Sequence, residues 1–482
     1  VRIGILTEFP SPAVQSGPAI HTKFLQESLE RRGHSVVMMG PDHSDLAPVP
    51  TEESQLYPSF PYPTHPKVRV ALPGSPRKLW ETSPKVDLIH GQTNSHMVHY
   101  ALWMREMWQI PVLTTQTIDL PLHSHFLLSD KLYANDTIRE WWKGQAYAME
   151  RSFARQMYSR SDALIVQSRH LVDYWRERGV TSPIEVVGRP INPAVFSRQP
   201  TEDPFPAHFR VGKRLLTVSR HDREKNLHEM LQLFSEHIAP RDPEVTLTLV
   251  GDGHDHKNLV DEALASPYAD RIHFPGEARH QSLVNWYAHA DVFVYTSLSE
   301  TFGNVINEAL WSGLPVVAYD DRKGVAGQVV DGVNGFLVEP NRSPSHAEFA
   351  NACLRLMGDR AARRKMGEEA ANLARRTSHP DVILGRFERI YAEATERVRR
   401  EIPVPLSEQS RLRQVRAFAR AYAQWGFWNS TLLGLAYTAT RLGASRTGGA
   451  SQHEAVVAAA REAGRETAWT VPQPTTPARP AA

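Results

Sequence analysis

Two glutamates, Glu300 and Glu308, stand eight residues apart in the run Ser299-Glu-Thr-Phe-Gly-Asn-Val-Ile-Asn-Glu308. An apolar segment, Asp291 to Thr296, precedes them and reads as a buried strand ending in a loop. Helix-like sequence from Val305 to Trp311 follows and is stopped by Gly313 and Pro315. A step of eight on a helix is about two turns, so Glu308 falls below the helix start while Glu300 lies in the strand-to-helix loop. Gly303 lets a ligand approach the backbone. The amides of Phe302, Gly303, Asn304 and Val305 form a helix N-terminus, which favours an anion. A carboxylate for hydroxyls, free amides for phosphate and a second carboxylate deeper in suit a sugar joined to a nucleotide through phosphates.

A second constellation begins at Leu215-Leu-Thr-Val-Ser219, a strand followed by Arg220 and Lys225, five apart and just before a helix. An alkyl diphosphate needs its charge neutralised as its bond to a sugar breaks, and a planar guanidinium with a point-charge ammonium can do that. Leu247 to Val250 is a strand ending in a tight turn with Gly251 and Gly253, and Ile272-His273-Phe274 is a shorter one. In the first half, the loop Pro10 to Pro18 contains Gly17, and the strand Pro111 to Thr115 leads into Gln116. Asp119, His123 and His125 are further polar candidates in the loop after Gln116. His90, His96 and His99 lack a convincing ligand set, so no metal site is expected.

These strings resemble family 4 glycosyltransferases, whose E-x7-E signature matches S-E-T-F-G-N-V…E-A-L…G-L-P-V-V-A over about twenty residues. The resemblance covers roughly residues 1 to 395. It implies an α/β protein of the GT-B fold: two doubly wound, Rossmann-like domains facing a cleft, with a last helix crossing back to the first domain. The activity it implies is retaining transfer of a hexose (mannose, glucose or galactose) from a UDP- or GDP-sugar, without metal or other cofactor. Glu300 would then hold sugar hydroxyls, Glu308 the ribose, and Arg220 and Lys225 the diphosphate. Gly251 and Gly253 would line the nucleotide cleft, the backbone at Ile272 and His273 would read the base, and Gly17 would pack near the donor phosphates. In this family the leaving phosphate is thought to help take the acceptor proton.

The chain departs from the family pattern at three places. Gln116 stands where many relatives place a histidine that reaches the donor sugar; Gln can donate and accept hydrogen bonds but cannot change charge near neutral pH. The run Asp320 to Gln328 replaces two glycines and a glutamate, and resembles a branch of mannosyl- and glucosyltransferases acting on lipid acceptors. Gly188-Arg-Pro-Ile-Asn192 replaces a P-N-G-V-D hinge, a change read as affecting motion more than chemistry. The rival readings are an epimerase or phosphorylase on the same fold, a glycosyltransferase with a soluble or polysaccharide acceptor, and a non-catalytic sugar-nucleotide-binding protein. A dehydrogenase is disfavoured because no G-x-G-x-x-G follows the first strand.

The elements that must position these residues follow a β-α-β-α rhythm in both halves. In the first, Val1 to Thr7, Ser35 to Met39, Val68 to Ala71, Val86 to His90 and Pro111 to Thr115 read as strands, with helices at Ala19 to Arg32 and Met97 to Met107 and a proline-rich loop at Pro48 to Pro66. The expected organisation is an acceptor-side domain at 1–190, a nucleotide-sugar domain at 191–385 and a crossover helix at 386–400. With 482 residues, 41% hydrophobic and 22% charged, the chain fits a two-domain globular protein. Its 55 basic residues nearly balance 53 acidic ones, which gives no argument for nucleic acid. One cysteine, Cys353, and a start that reads as a strand and not an export signal suit the cytoplasm. Arg411, Arg413, Arg416 and Arg420 precede twenty uncharged residues, Ala421 to Thr440, that include Trp425, Phe427 and Trp428. Residues 401–445 therefore read as an amphipathic segment lying in a lipid interface, peripheral at the inner membrane face, with a helix packed on the protein's own surface or a dimer contact as the alternative. Residues 446–482 read as disordered.

Overall fold

Short apolar runs separated by helices build two parallel sheets in this computed structural model, which describes residues 1–10, 17–43, 54–62, 65–81, 86–92, 96–117, 136–340 and 345–443. The first half contributes β1 (Arg2–Leu6), β2 (Ser35–Pro41), β3 (Ser54–Tyr57), β4 (Ser59–Tyr62), β5 (His65–Ala71), β6 (Leu88–Gly91), β7 (Val112–Thr115), β8 (Ala163–Val166) and β9 (Ile184–Val186). Seven of them form a sheet of order β3-β2-β1-β6-β7-β8-β9. The second half contributes β10 (Lys213–Val218), β11 (Val245–Val250), β12 (Ile272–Gly276), β13 (Val292–Tyr295), β14 (Val316–Tyr319) and β15 (Gly335–Val338). Their order is β12-β11-β10-β13-β14-β15. Strands such as Val-Phe-Val-Tyr in β13 and Val-Val-Ala-Tyr in β14 are buried throughout, because helices cover both faces of a parallel sheet. In each sheet the strand order reverses beside the first strand, between β1 and β6 and between β10 and β13. Such a switch opens a crevice at the carboxyl ends of the two strands.

Two expectations are corrected in the first half. The stretch read as a loop from Pro48 to Pro66 carries β3, which extends the parallel sheet, and β4. Val68 to Ala71 belongs to an antiparallel hairpin with β4, not to the parallel sheet. Prolines hid these strands. They are tolerated because β3 is an edge and β4–β5 has only two strands, so no central ladder bond is lost.

Helix Pro380–Glu401 begins earlier than the expected 386 and lies on the first sheet. Its Ile383, Leu384, Phe387, Ile390, Tyr391 and Ala394 recur at helical spacing and join Ile3, Ile5, Leu113 and Ile165 in one core. Arg32 clamps it through Glu388 at 2.7 Å and Asp381 at 3.2 Å. His90 is buried beneath it, bonded to the Tyr391 hydroxyl at 2.7 Å and to Thr115 at 2.8 Å.

The segment after it is a single helix, Arg411–Gly443. No described helix is long and apolar enough to cross a membrane. Of the aromatics expected in lipid, Trp425 and Trp428 instead pack on the first domain, while Phe427 is exposed. Trp425 is 1% exposed and donates to the Ala71 carbonyl at 3.1 Å, and Asn429 donates to the same oxygen at 2.6 Å. Phe418 sits edge-on to Trp80 and Trp103, and Trp428 stacks on His96. Helix Val98–Trp108 is thereby covered on both sides, with eight of its eleven residues buried. Burial pushes the His96 imidazole down to about 3, as suits a neutral packing residue. The tail expected to be disordered, 446–482, lies outside the described residues.

Trp425 is thus a core residue of the first domain. Trp425→Ala is expected to destabilise the protein by about 3–5 kcal/mol, the usual cost of truncating a buried Trp. Calorimetric melting tests this; a Tm equal to wild type would show the helix to be a loosely attached appendage.

Candidate functional site

The loops after β10 and β13 meet at the second sheet's switch point. β10 and β13 are neighbours, with Leu215 opposite Val292 and Leu216 opposite Phe293. After β10 the chain turns through Arg223–Lys225, and Asn226 adopts φ 56° before helix Leu227–Gln232. The Thr296 hydroxyl donates to the Asn226 carbonyl at 2.8 Å, and Ser299 donates to the Glu224 carbonyl at 3.3 Å, joining the two loops.

At their junction the Lys225 ammonium lies 2.5 Å from Glu300 Oε1, both side chains mostly buried. Tyr295 and Ser297 hydroxyls donate to the same oxygen at 2.8 and 3.2 Å. Among the described residues the donors to Glu300 all reach Oε1 and none reaches Oε2. Burial would raise the Glu300 carboxyl, but Lys225 and these hydroxyls override it and hold it down at about 2. The carboxylate is therefore charged throughout the physiological range. Arg220 is half exposed and pairs with Asp222 and with Glu224, the latter at 2.8 Å.

Glycines make the close approaches here. A Cβ at Gly251, where φ is 139°, would lie 1.8 Å from the Ser219 carbonyl, and one at Gly253 would lie 2.5 Å from the His221 carbonyl. The turn after β11 thus packs directly on the loop that carries Arg220. Phe302 is buried, Gly303 takes φ 82°, and helix Asn304–Trp311 starts there with Val305 in its first turn. Glu308, one turn in, is buried and accepts from the Tyr287 hydroxyl at 2.9 Å, with His280 at 3.3 Å. Ile272 and His273 lie half-buried on the edge strand β12, His273 beside Phe209 and Trp286 and Ile272 against the core that holds Leu247 and Leu249.

Three supports were not read from the sequence as site residues. Asp321 accepts from the amides of Lys323, Val325 and Ala326 at 2.9, 3.1 and 3.0 Å. That holds Gly324 where its amide donates to the Glu300 carbonyl at 3.0 Å; a Cβ there would strike Phe302 N at 2.5 Å. Gln328 donates to the carbonyls of Phe302 and Gly303. The only sequence signal for all three was that the run 320–328 departs from the family pattern. Burial, with the Glu300 charge adding to it, pushes Asp321 up to about 6 against the pull of its three amides.

The first domain closes the site from the other side. Gln116, nearly fully buried, follows β7, and the next residue's carbonyl accepts from Thr301 at 3.0 Å. Asn307 donates to the Arg189 carbonyl at 3.2 Å. Gly17 opens helix Gly17–Arg31, while Asp119, His123 and His125 lie outside the described residues. Among the described residues no three His, Cys, Asp or Glu side chains come together as a metal-ligand set.

Two family models match the chain: "Glycosyltransferase Family 4" over residues 15–195 and "Glycosyl transferases group 1" over residues 200–373. The chain is 26% identical over 327 residues to alpha-monoglucosyldiacylglycerol synthase of Streptococcus pneumoniae, covering 66% of this chain and 71% of that protein. It is 27% identical to sulfoquinovosyl transferase SQD2 of Arabidopsis thaliana, over 65% of this chain and 58% of that one. In fold it is similar to the crystal structure of Anabaena HepE in complex with UDP, at a TM-score of 0.58 and 18% identity, covering 81% and 100% of the two chains.

Removing one partner of the buried Lys225–Glu300 pair strands the other. Lys225→Ala is expected to cost about 3–5 kcal/mol of stability, with Glu300→Gln added to it restoring part of the loss. The pH dependence should invert. In wild type the depressed Glu300 contributes stability that is present above its unfolded pKa of about 4.5 and is lost as pH falls toward 2. In Lys225→Ala burial raises that carboxyl, so acidification stabilises the variant; melting curves across pH test the sign. Turnover should fall by at least ~10-fold in Lys225→Ala. In Glu300→Gln turnover should fall while binding of the bare nucleoside diphosphate holds. Asp321, titrating near 6, predicts a second effect: turnover declines below about pH 6 as its amide bonds weaken, and the decline is absent from the profile of Asp321→Asn.

Proposed function

We propose that this chain, which belongs to the family 4 glycosyltransferases and has their two-domain GT-B architecture, is a retaining hexosyltransferase that moves a hexose from a UDP- or GDP-sugar to a hydroxyl of a membrane lipid. The observation that carries the donor side is the Lys225–Glu300 pair at the switch point, set beside the N-terminus of helix Asn304–Trp311. Diphosphate charge is met by Lys225, Arg220 and the first amides of that helix, with no metal needed. Glu300 Oε2 accepts from sugar hydroxyls, and Glu308 accepts from the ribose. The acceptor oxygen attacks the anomeric carbon on the face from which the diphosphate departs. The bond from that carbon to the phosphate oxygen breaks, the bond to the acceptor oxygen forms, and the acceptor proton passes to the departing phosphate. Charge stabilisation of the leaving group is the main catalytic contribution of the protein in this scheme.

The acceptor side rests on the outer face of helix Arg411–Gly443. Its inner face holds Gln414, Phe418, Ala421, Trp425 and Asn429. Its outer stripe, at steps of four, four and seven, carries Leu412, Arg416, Arg420 and Phe427, with Arg413 alongside, all exposed. Cations next to an outward Phe and Leu suit an anionic lipid surface, at about 1 kcal/mol for each basic residue near it. The S. pneumoniae relative bears on the same point: it is named for a glucosyldiacylglycerol product, and we favour glucose among the hexoses on that ground.

Mass spectrometry of lipid products, after incubation with UDP-glucose, UDP-galactose or GDP-mannose and anionic vesicles containing diacylglycerol or its monoglycoside, tests the reading. One hexose should be added, and donor should be consumed only when acceptor is present. Donor turnover without acceptor would instead indicate an epimerase or phosphorylase. The triple variant Arg413→Ser, Arg416→Ser, Arg420→Ser is expected to lose flotation with anionic vesicles while its nucleotide binding stays intact. Unchanged flotation would remove the outer stripe as the membrane contact.

A further inference from the structure

Arg189 lies in the linker that leaves β9 for the second domain. The residue is 7% exposed, and its Nε is buried without a hydrogen-bond partner. Its Nη1 stands 3.4 Å from Asn304 Oδ1, a long contact to a neutral amide, and its guanidinium carbon is 6.0 Å from the Phe302 ring centre. Among the described residues no carboxylate pairs with it. The other two cations of the site are neutralised, Arg220 by Asp222 and Glu224 and Lys225 by Glu300. A buried guanidinium without an anion is costly, and a fold keeps one where an anion arrives from outside. Burial pushes this one down to about 10, with the more distant Glu300 charge pulling the other way.

Its surroundings fix where that anion would sit. Asn304 is the first residue of helix Asn304–Trp311, so the guanidinium borders the N-terminus of that helix, whose first amides have no intrahelical partner. Its backbone is pinned by Asn307, whose side chain donates to the Arg189 carbonyl. Gly188 lets Phe302 approach to 3.3 Å from where a Cβ would be. Cation, helix terminus and the Glu300 loop thus converge from two domains on one point.

We propose that Arg189 is a donor-binding residue that receives the terminal phosphate of the nucleoside diphosphate at this helix N-terminus. The inference rests on the donor reading above and adds a residue to it. Because Arg189 is on the linker and Asn304 on the second domain, a diphosphate held by both joins the hinge to the nucleotide site. A monophosphate, lacking the terminal group, does not.

Calorimetric titration of the full chain with UDP, UMP and uridine, and with GDP, GMP and guanosine, tests this. The wild type is measured first, and binding of neither diphosphate would overturn the donor reading and this inference together. With the diphosphate that binds, Arg189→Gln is expected to lose ~10–100-fold in affinity, the range for a charge-assisted contact. Its affinity for the corresponding monophosphate and nucleoside should change little, and Arg189→Lys should recover part of the loss. Ligand-free Arg189→Gln is expected to melt at or above the wild-type Tm, since a buried unpaired charge has gone. Wild-type diphosphate affinity in Arg189→Gln would overturn the assignment with the donor reading intact. So would a ligand-free variant that melts lower or fails to fold, because Arg189 would then be a structural residue.

Discussion

Two opposite charges held 2.5 Å apart under the mouth of a parallel sheet organise this molecule. A buried ion pair survives only when the geometry is good and the remaining donors and acceptors are used. Here that requirement reaches outward. Lys225 must stand at the end of β10 and Glu300 at the end of β13, so those two strands must be neighbours. Tyr295 and Ser297 must share the Glu300 oxygen. The loop that carries Glu300 must be backed by Gly324 and Gln328, and Asp321 must in turn hold that backing in place. Glycines at 251 and 253 let the next strand's turn lie flat against the Arg220 loop. These contacts fix the charges of the site in place, which is what stabilising a departing diphosphate in the proposed reaction requires.

The parts of this arrangement that could be read from the sequence are those whose physics is local. β13 is an unbroken apolar run, and the glycine and helix signals after it place Glu300 in a loop and Glu308 in a helix, where the structure has them. The same holds for β10 with Arg220 and Lys225. What could not be read depends on partners distant in the chain. The prolines between residues 48 and 66 argue for a loop unless the strands are known to lie at an edge. Trp425 and Phe418 have the composition of a lipid-facing helix, and only the exposed flank of helix Val98–Trp108 makes them core residues. Asp321 is one of two adjacent acids, distinguished only by three amides that fold back onto it. Arg189 looked like a change affecting hinge motion more than chemistry; its significance lies in its burial without a paired carboxylate among the described residues.

The domains are joined twice, by the linker through Arg189 and by helix Pro380–Glu401, which packs into the core of the first sheet. Among the described residues the contacts across the cleft include Thr301 to the Thr117 carbonyl, Asn307 to the Arg189 carbonyl and Arg189 to Asn304, with Phe302 close against Gly188 and Lys323 over the Tyr174 ring at 5.7 Å. A double connection permits rotation about the connections while opposing separation.

The position of Leu406, Phe418, Ala421 and Trp425 in the first domain's core has a consequence for the order of assembly. More than two hundred residues separate the end of β9 from Trp425. At ~5–20 residues per second, a ribosome needs roughly 10–50 s to deliver them. Until then Trp103, Tyr100 and Trp80 stand uncovered on a nascent domain whose sheet is otherwise complete. This chain therefore does not build its first domain and then its second. The second must be synthesised, and folded or held, before the first can close. During that interval the aromatic flank is the surface on which chaperones or neighbouring nascent chains would act.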